Sequence, residues 1–178
     1  MNRNRFEKKA SRLIGKTIVR VVYHEINYLD GEFHFFDDLR FDSIDYGVAF
    51  EFDTGELLSI IWGDEFLQYG ISLIDGPFSL VISESRHLDV SETPRWYNVL
   101  GKTIDSVEVF WSWSEEAGKP ETRVYYPQDL LLWFGGKLPI IISALEIQKD
   151  GFVMGMKDNI TIFNDIHIAK NFKCLQKE

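Results

Sequence analysis

Apolar residues along this chain change their spacing twice, each time at a Gly-Lys-Thr. Phe6, Ala10, Leu13 and Ile14 recur at i, i+4, i+7 and i+8, one face of a helix, and Gly15 stands where a left-handed cap closes such a helix. Over residues 17–28 the period becomes two and β-branched and aromatic residues dominate, which predicts a strand. The same change recurs later. Ser91 or Thr93 followed by Pro94 predicts the start of a second helix, Gly101 its end, and residues 103–113 a strand.

Further strands are predicted at 33–36, 46–53, 57–62, 69–74 and 78–83 in the first half, and at 122–126, 140–148, 152–156, 160–163 and 166–169 in the second. The turns between them are too short for parallel crossovers, so the sheets are expected to be mainly antiparallel. The fold class is therefore α+β, mainly β.

Self-similarity extends the pattern. Leu13-Ile14-Gly15-Lys16-Thr17-Ile18 followed by Val21 matches Val99-Leu100-Gly101-Lys102-Thr103-Ile104 followed by Val107 at an offset of 86. Phe35-Phe36-Asp37-Asp38-Leu39 resembles residues 125–130 with one insertion, and Ala49-Phe50-Glu51-Phe52 matches Ala144-Leu145-Glu146-Ile147. The expectation is two tandem copies of a helix-then-antiparallel-meander unit, residues 1–83 and 94–178, packed about a pseudo-two-fold axis and joined by a polar connector at 84–93.

Composition places the chain among globular proteins: 178 residues, 45% hydrophobic and 15% aromatic, supply a core. The single cysteine, Cys174, forms no internal disulfide, no apolar run reaches the length of a membrane span, and no apolar segment follows the basic N-terminus. These features point to a reducing, cytoplasmic setting and away from a membrane.

Charge is distributed unevenly. Residues 1–16 carry six Lys/Arg against one Glu, net +5, leaving −14 for the remainder of a chain of net charge −9. Residues 30–65 hold eleven acids and one base, Arg40, a balance that repels nucleic-acid phosphate. The basic N-terminal helix is expected to solvate its charges or pair them with the chain's own acids.

Candidate chemistry is sparse. Gly15-Lys16-Thr17 and Gly101-Lys102-Thr103 end like a phosphate-binding loop, but Ala10 and Trp96 replace its first glycine and a helix precedes rather than follows. His24, His34, His87 and His167 are scattered, with His34 near Asp37 and Asp38. Asp37, Asp38, Asp42 and Asp45 lack the spacing of a calcium loop, and no nucleophile elbow occurs. No cofactor or catalytic residue is assigned. Trp111 and Trp113 share a strand face, and Trp62, Trp96 and Trp133 lie in or beside apolar runs, the pattern of core aromatics.

The acidic segment is the one concentrated feature. It predicts a non-enzymatic binding protein engaging a basic partner protein through Asp37, Asp38, Asp42, Asp45, Asp64 and Glu65, with an inhibitor or immunity-type protein as the concrete version. The alternative is a small-molecule-binding protein or hydrolase with an aromatic, carboxylate-lined cleft between the repeats.

Overall fold

The computed structural model describes residues 2–28, 33, 36–66, 69–82, 84–148, 151–155 and 158–176. Helix α1 (Arg3–Ser11) begins at Asn2, whose side chain accepts from the Arg5 N–H, and buries Phe6 and Ala10. Strand β1 (Ile18–Ile26) follows, then β2 (Phe36–Asp37), β3 (Asp42–Ile44), β4 (Tyr46–Phe52), β5 (Leu57–Gly63), β6 (Gly70–Asp75) and β7 (Ser85–Asp89). The second half contributes β8 (Ile104–Glu116), β9 (Lys119–Phe134), β10 (Leu138–Ser143), β11 (Leu145–Ile147), β12 (Val153–Gly155), β13 (Ile160–Phe163) and α2 (Ile166–Asn171).

These strands form a five-stranded sheet ordered β6-β5-β4-β1-β7 and a six-stranded sheet ordered β2-β3-β13-β10-β9-β8, with β11 and β12 as a separate ribbon. Every ladder between these strands is antiparallel, as the short turns predict. The first sheet comes from the first half. The second mixes halves, because β2 and β3 join β13 at its edge.

One buried apolar cluster lies between the sheets and takes residues from both halves, among them Val21, Phe50, Ile60, Trp96, Leu130, Leu132, Ile140 and Ile162. The opposite face of the six-stranded sheet buries Leu131, Ile141 and Phe163 beneath Ala169 of α2 and the tail residues Cys174 and Leu175. Residues 130–132 and 140–142 are therefore apolar without interruption: alternate side chains enter two different cores.

The two Gly-Lys-Thr segments meet. Gly15 (φ +87°) and Gly101 (φ +71°) adopt the left-handed conformation, but neither closes a helix: α1 already ends at Ser11, with Arg12 at its C-cap. The Gly15 N–H donates to the Ile104 carbonyl and the Gly101 N–H to the Ile18 carbonyl, both at 2.9 Å. Between them Thr17 bridges Thr103, with their hydroxyls 3.2 Å apart. After each glycine four strands pair in chain-order succession, β1-β4-β5-β6 in one sheet and β8-β9-β10-β13 in the other.

Several local expectations are corrected. The segment ending at Gly101 is a run of turns, not a helix: Trp96 and Tyr97 N–H groups donate to the Thr93 carbonyl, and Val99 and Leu100 to that of Trp96. Residues 78–83 contain a one-turn 3-10 helix (Phe78–Leu80) rather than a strand. Residues 166–169 belong to α2, because the Asp165 carboxylate accepts from the His167 and Ile168 N–H groups and starts a helix. Residues 85–89 of the connector form β7 against β1. Ala49–Phe52 lies within β4, whereas Leu145–Ile147 lies in the separate ribbon, so that sequence match joins residues in different structural settings. The strand predicted at 33–36 lies mostly outside the described residues.

Candidate functional site

Antiparallel register brings several acidic and aromatic residues to one end of the five-stranded sheet. Glu25 faces Tyr46 across β1 and β4, and the Ile26 N–H bonds to the Asp45 carbonyl. On the next ladders Gly47 pairs with Ile61 and Gly63 with Gly70, which places Tyr46, Trp62, Asp64 and Tyr69 at the same edge. The Trp62 ring makes edge contacts with Tyr46 at 4.8 Å and Tyr69 at 5.1 Å. Arg86 stands opposite Glu25 on the β7 side.

Tyr28 lies near three carboxylates, those of Asp45, Asp158 and Glu25. It is half exposed, and its hydroxyl donates to Oδ2 of Asp45. Burial of the hydroxyl, the bond to Asp45 and the charges of Asp45, Asp158 and Glu25 push its pKa above the ordinary tyrosine value. Asp158 comes from the second half, so the acidic end is built by both. Glu25 is buried, Asp64 and Asp158 are exposed, and Asp45 and Glu65 are intermediate.

Backbone strain coincides with this end. Tyr46 (φ 153°) and Tyr69 (φ 67°) are two of the four non-glycine residues with positive φ among the described residues. The Trp62 indole N–H is buried and meets no acceptor among the described residues, a group that costs about 1–3 kcal/mol to leave unsatisfied.

The remaining sequence candidates lie elsewhere. Asp42, only 5% exposed, is an internal group: the Tyr23 hydroxyl donates to its Oδ2 at 2.6 Å, Arg95 Nη2 donates to Oδ1 at 3.0 Å, and Arg95 Nε sits 2.9 Å from Oδ2. Trp96 Nε1 donates to the Tyr23 hydroxyl at 2.7 Å and extends the network. Asp38 is held by Arg40 through the backbone N–H, Nε and Nη2, and those bonds lower its pKa to about 2. Asp38 and Asp42 line one groove of about 380 Å³ with Leu39, Leu88, Arg95 and Asn164. Asp37 pairs with Asp42 in the β2-β3 ladder, and its side chain lies outside the described residues, as does His34.

Other acids of residues 30–65 meet the basic positions of the chain. Lys16 bonds Glu56, Arg20 approaches Glu51 to 4.0 Å, and just beyond the segment Lys9 lies 3.3 Å from Asp75. Among the described residues, Asp38, Asp42, Glu51 and Glu56 thus meet basic side chains of the chain, while Asp45 and Asp64 lie at the sheet end.

A second feature carries no local sequence signature. Residues 77–82 overhang the outer face of the five-stranded sheet and form with it an open-sided cavity of about 400 Å³ lined in part by His24, Ser85 and His87. His24 Nδ1 lies 3.0 Å from Ser85 Oγ, and its ring stacks on Phe78 with centroids 3.8 Å apart and planes 4° from parallel. Burial, then the neighbouring His87, lowers the His24 pKa to about 4. The signal in the sequence is divided between two strands: the alternation of positions 22 and 24 on β1 and 87 and 89 on β7, obscured because residues 84–93 carry the polar composition of a connector.

Among the described residues no group of three or more His, Cys, Asp or Glu side chains is arranged to hold a metal ion, and no helix is long and apolar enough to cross a membrane. Comparison with known protein families, curated proteins and solved structures finds no match to this chain.

Proposed function

We propose that this chain is a non-enzymatic binding protein that engages a basic partner protein through the acidic, aromatic end of the five-stranded sheet. The observation carrying this reading is the placement of Asp45, Asp64 and Asp158 with Tyr28, Tyr46, Trp62 and Tyr69 at one end of the sheet, with Glu65 next in the chain to Asp64. Tyr and Trp supply rigid apolar contact with a polar tip, and surrounding carboxylates steer a cationic surface onto them. An inhibitor or immunity-type protein that neutralises a basic toxin or nuclease in the cytoplasm is the concrete form. Asp42, being internal, serves the fold in this scheme, while Asp38 and Arg40 flank the neighbouring groove.

Duplication of an ancestral unit accounts for this arrangement in our reading. Its support is the reciprocal pair of glycine hydrogen bonds and the matching four-strand successions in the two sheets. Each unit covers the apolar face that the other would leave exposed.

Capture from native lysate tests the reading when run in parallel with wild-type protein and an Asp64→Lys/Asp158→Lys variant. A basic protein retained by the wild type at low salt and lost from the variant is the expected result. Equal retention by both would remove the acidic end from consideration.

A further inference from the structure

We propose that the cavity beneath residues 77–82 binds an uncharged, flat ring compound. Its volume of about 400 Å³ falls within the range that encloses a small organic molecule. Val22 and Ala49, paired across β1 and β4, form an apolar floor with Leu57 beyond, and Pro77, Phe78 and Ile82 form the roof. A flat apolar body fits between two such layers and removes both from water.

The roof is fixed in place. The Gly76 N–H donates to the Leu57 carbonyl at 2.9 Å, and Ser59 Oγ donates to the Gly76 carbonyl at 3.1 Å. Farther along, the Phe78 ring rests on the His24 imidazole and props the overhanging segment above the sheet. A cavity held open by these contacts requires little ordering on ligand entry.

Polar groups mark both ends of the floor. At one end the His24 and Ser85 side chains share a hydrogen bond beside His87; at the other lie Arg20 and Glu51. Four residues of extended β1 separate Arg20 from His24, about 13 Å at about 3.3 Å per residue. A ring compound spanning the floor would present its heteroatoms to the imidazole end.

Charge decides the ligand class. Arg20 Nε donates to Asp89 at 2.7 Å and its Nη1 lies 4.0 Å from Glu51, so the lining cation is already matched. Over the apolar floor a charged ligand would lose water without gaining a counterion; an uncharged one meets no such penalty. The weak basicity of His24 makes it a poor partner for activating Ser85, so the site is suited to binding rather than to hydrolysis.

Protein-observed NMR titration at pH 7.5 tests this with indole, quinoline and adenine as uncharged probes, and benzoate and N-methylquinolinium as charged ones. At least one uncharged probe should shift the Val22, Ala49 and Phe78 resonances saturably with a Kd of about 1 mM or tighter, in keeping with a ligand of some ten heavy atoms. The charged probes should bind at least about tenfold more weakly. Ala49→Phe should abolish binding, and intermolecular NOEs from the probe ring to the Val22 and Ala49 methyls of the wild type give a readout independent of that variant's folding. No saturable shift with any uncharged probe, equal affinity for charged ones, or NOEs to another surface would overturn the proposal.

Discussion

Replacing Asp129 with Asn should stabilise this protein at neutral pH, and the gain should vanish in acid. Asp129 sits on β9, is 1% exposed, and accepts hydrogen bonds from Ser143 Oγ and, at 2.7 Å, from the Leu175 N–H of the C-terminal tail. Burial outweighs these bonds and raises its pKa from an ordinary 3.8 to about 6. Below the unfolded value both states hold the proton and nothing is lost. As pH rises from about 4 to 6 the unfolded chain ionises first, so stability falls, and above 6 the loss stays constant.

A rise of that size corresponds to about 3 kcal/mol at pH 8. The amide replaces the carboxylate without charge: its oxygen accepts from Leu175, and its N–H₂ donates to Ser143, at a cost of about 1 kcal/mol for altered geometry. The expected net gain is about 2 kcal/mol at pH 8; it falls through zero as the pH approaches 4, and in stronger acid the variant is less stable by the remaining cost of about 1 kcal/mol. Urea denaturation of wild type and variant across this range reads the difference directly, because other titrating groups cancel in it. A variant less stable than wild type at pH 8, or a difference independent of pH, would refute the reasoning.

Three further outcomes follow from the geometry. Arg95→Ala should destabilise the fold by about 3–5 kcal/mol by stranding the buried Asp42 carboxylate, and Asp42→Leu combined with Arg95→Met should restore most of that in chemical denaturation. Gly15→Ala and Gly101→Ala should each cost about 1 kcal/mol in the same assay, since both have positive φ and open space around a new Cβ; unequal costs would argue against equivalent roles. Gly47→Ala should cost more than either, because its Cβ would meet the Ile60 carbonyl oxygen at 2.4 Å, and thermal unfolding would reveal a variant that tolerates it.

Local pattern foretold the structure best where a strand has one buried face or a left-handed glycine leads into a strand, as at β1 and at Gly15 and Gly101. It faltered where both faces are covered. Residues 130–134 of β9 run Leu-Leu-Leu-Trp-Phe without alternation, and Pro127 obscured the strand further; the register shift between Phe110 and Trp111 absorbs that proline. Residues 166–169 have the alternation of a strand, and the Asp165 cap overrides it to start α2.

The candidate site was legible as charge but not as geometry. Asp42 and Asp45 are three residues apart, yet one is buried against Arg95, fifty-three positions away in the chain, and the other bonds Tyr28. Only the strand register shows that Asp45, Asp64 and Asp158 belong to one end while Asp38 and Asp42 belong to a groove. The cavity under residues 77–82 depends on a non-local overhang that no periodicity announces.

The claim that the acidic end recognises a basic partner is tested most directly by association kinetics. With the captured partner immobilised, the Asp64→Lys/Asp158→Lys variant should associate at least about tenfold more slowly than wild type at low ionic strength, and the gap should narrow in high salt. Glu116→Lys/Glu121→Lys, the same charge change on the β8-β9 hairpin, should associate nearly as wild type does. Equal rates for wild type and the Asp64/Asp158 variant at low salt, with both folded, would contradict the account.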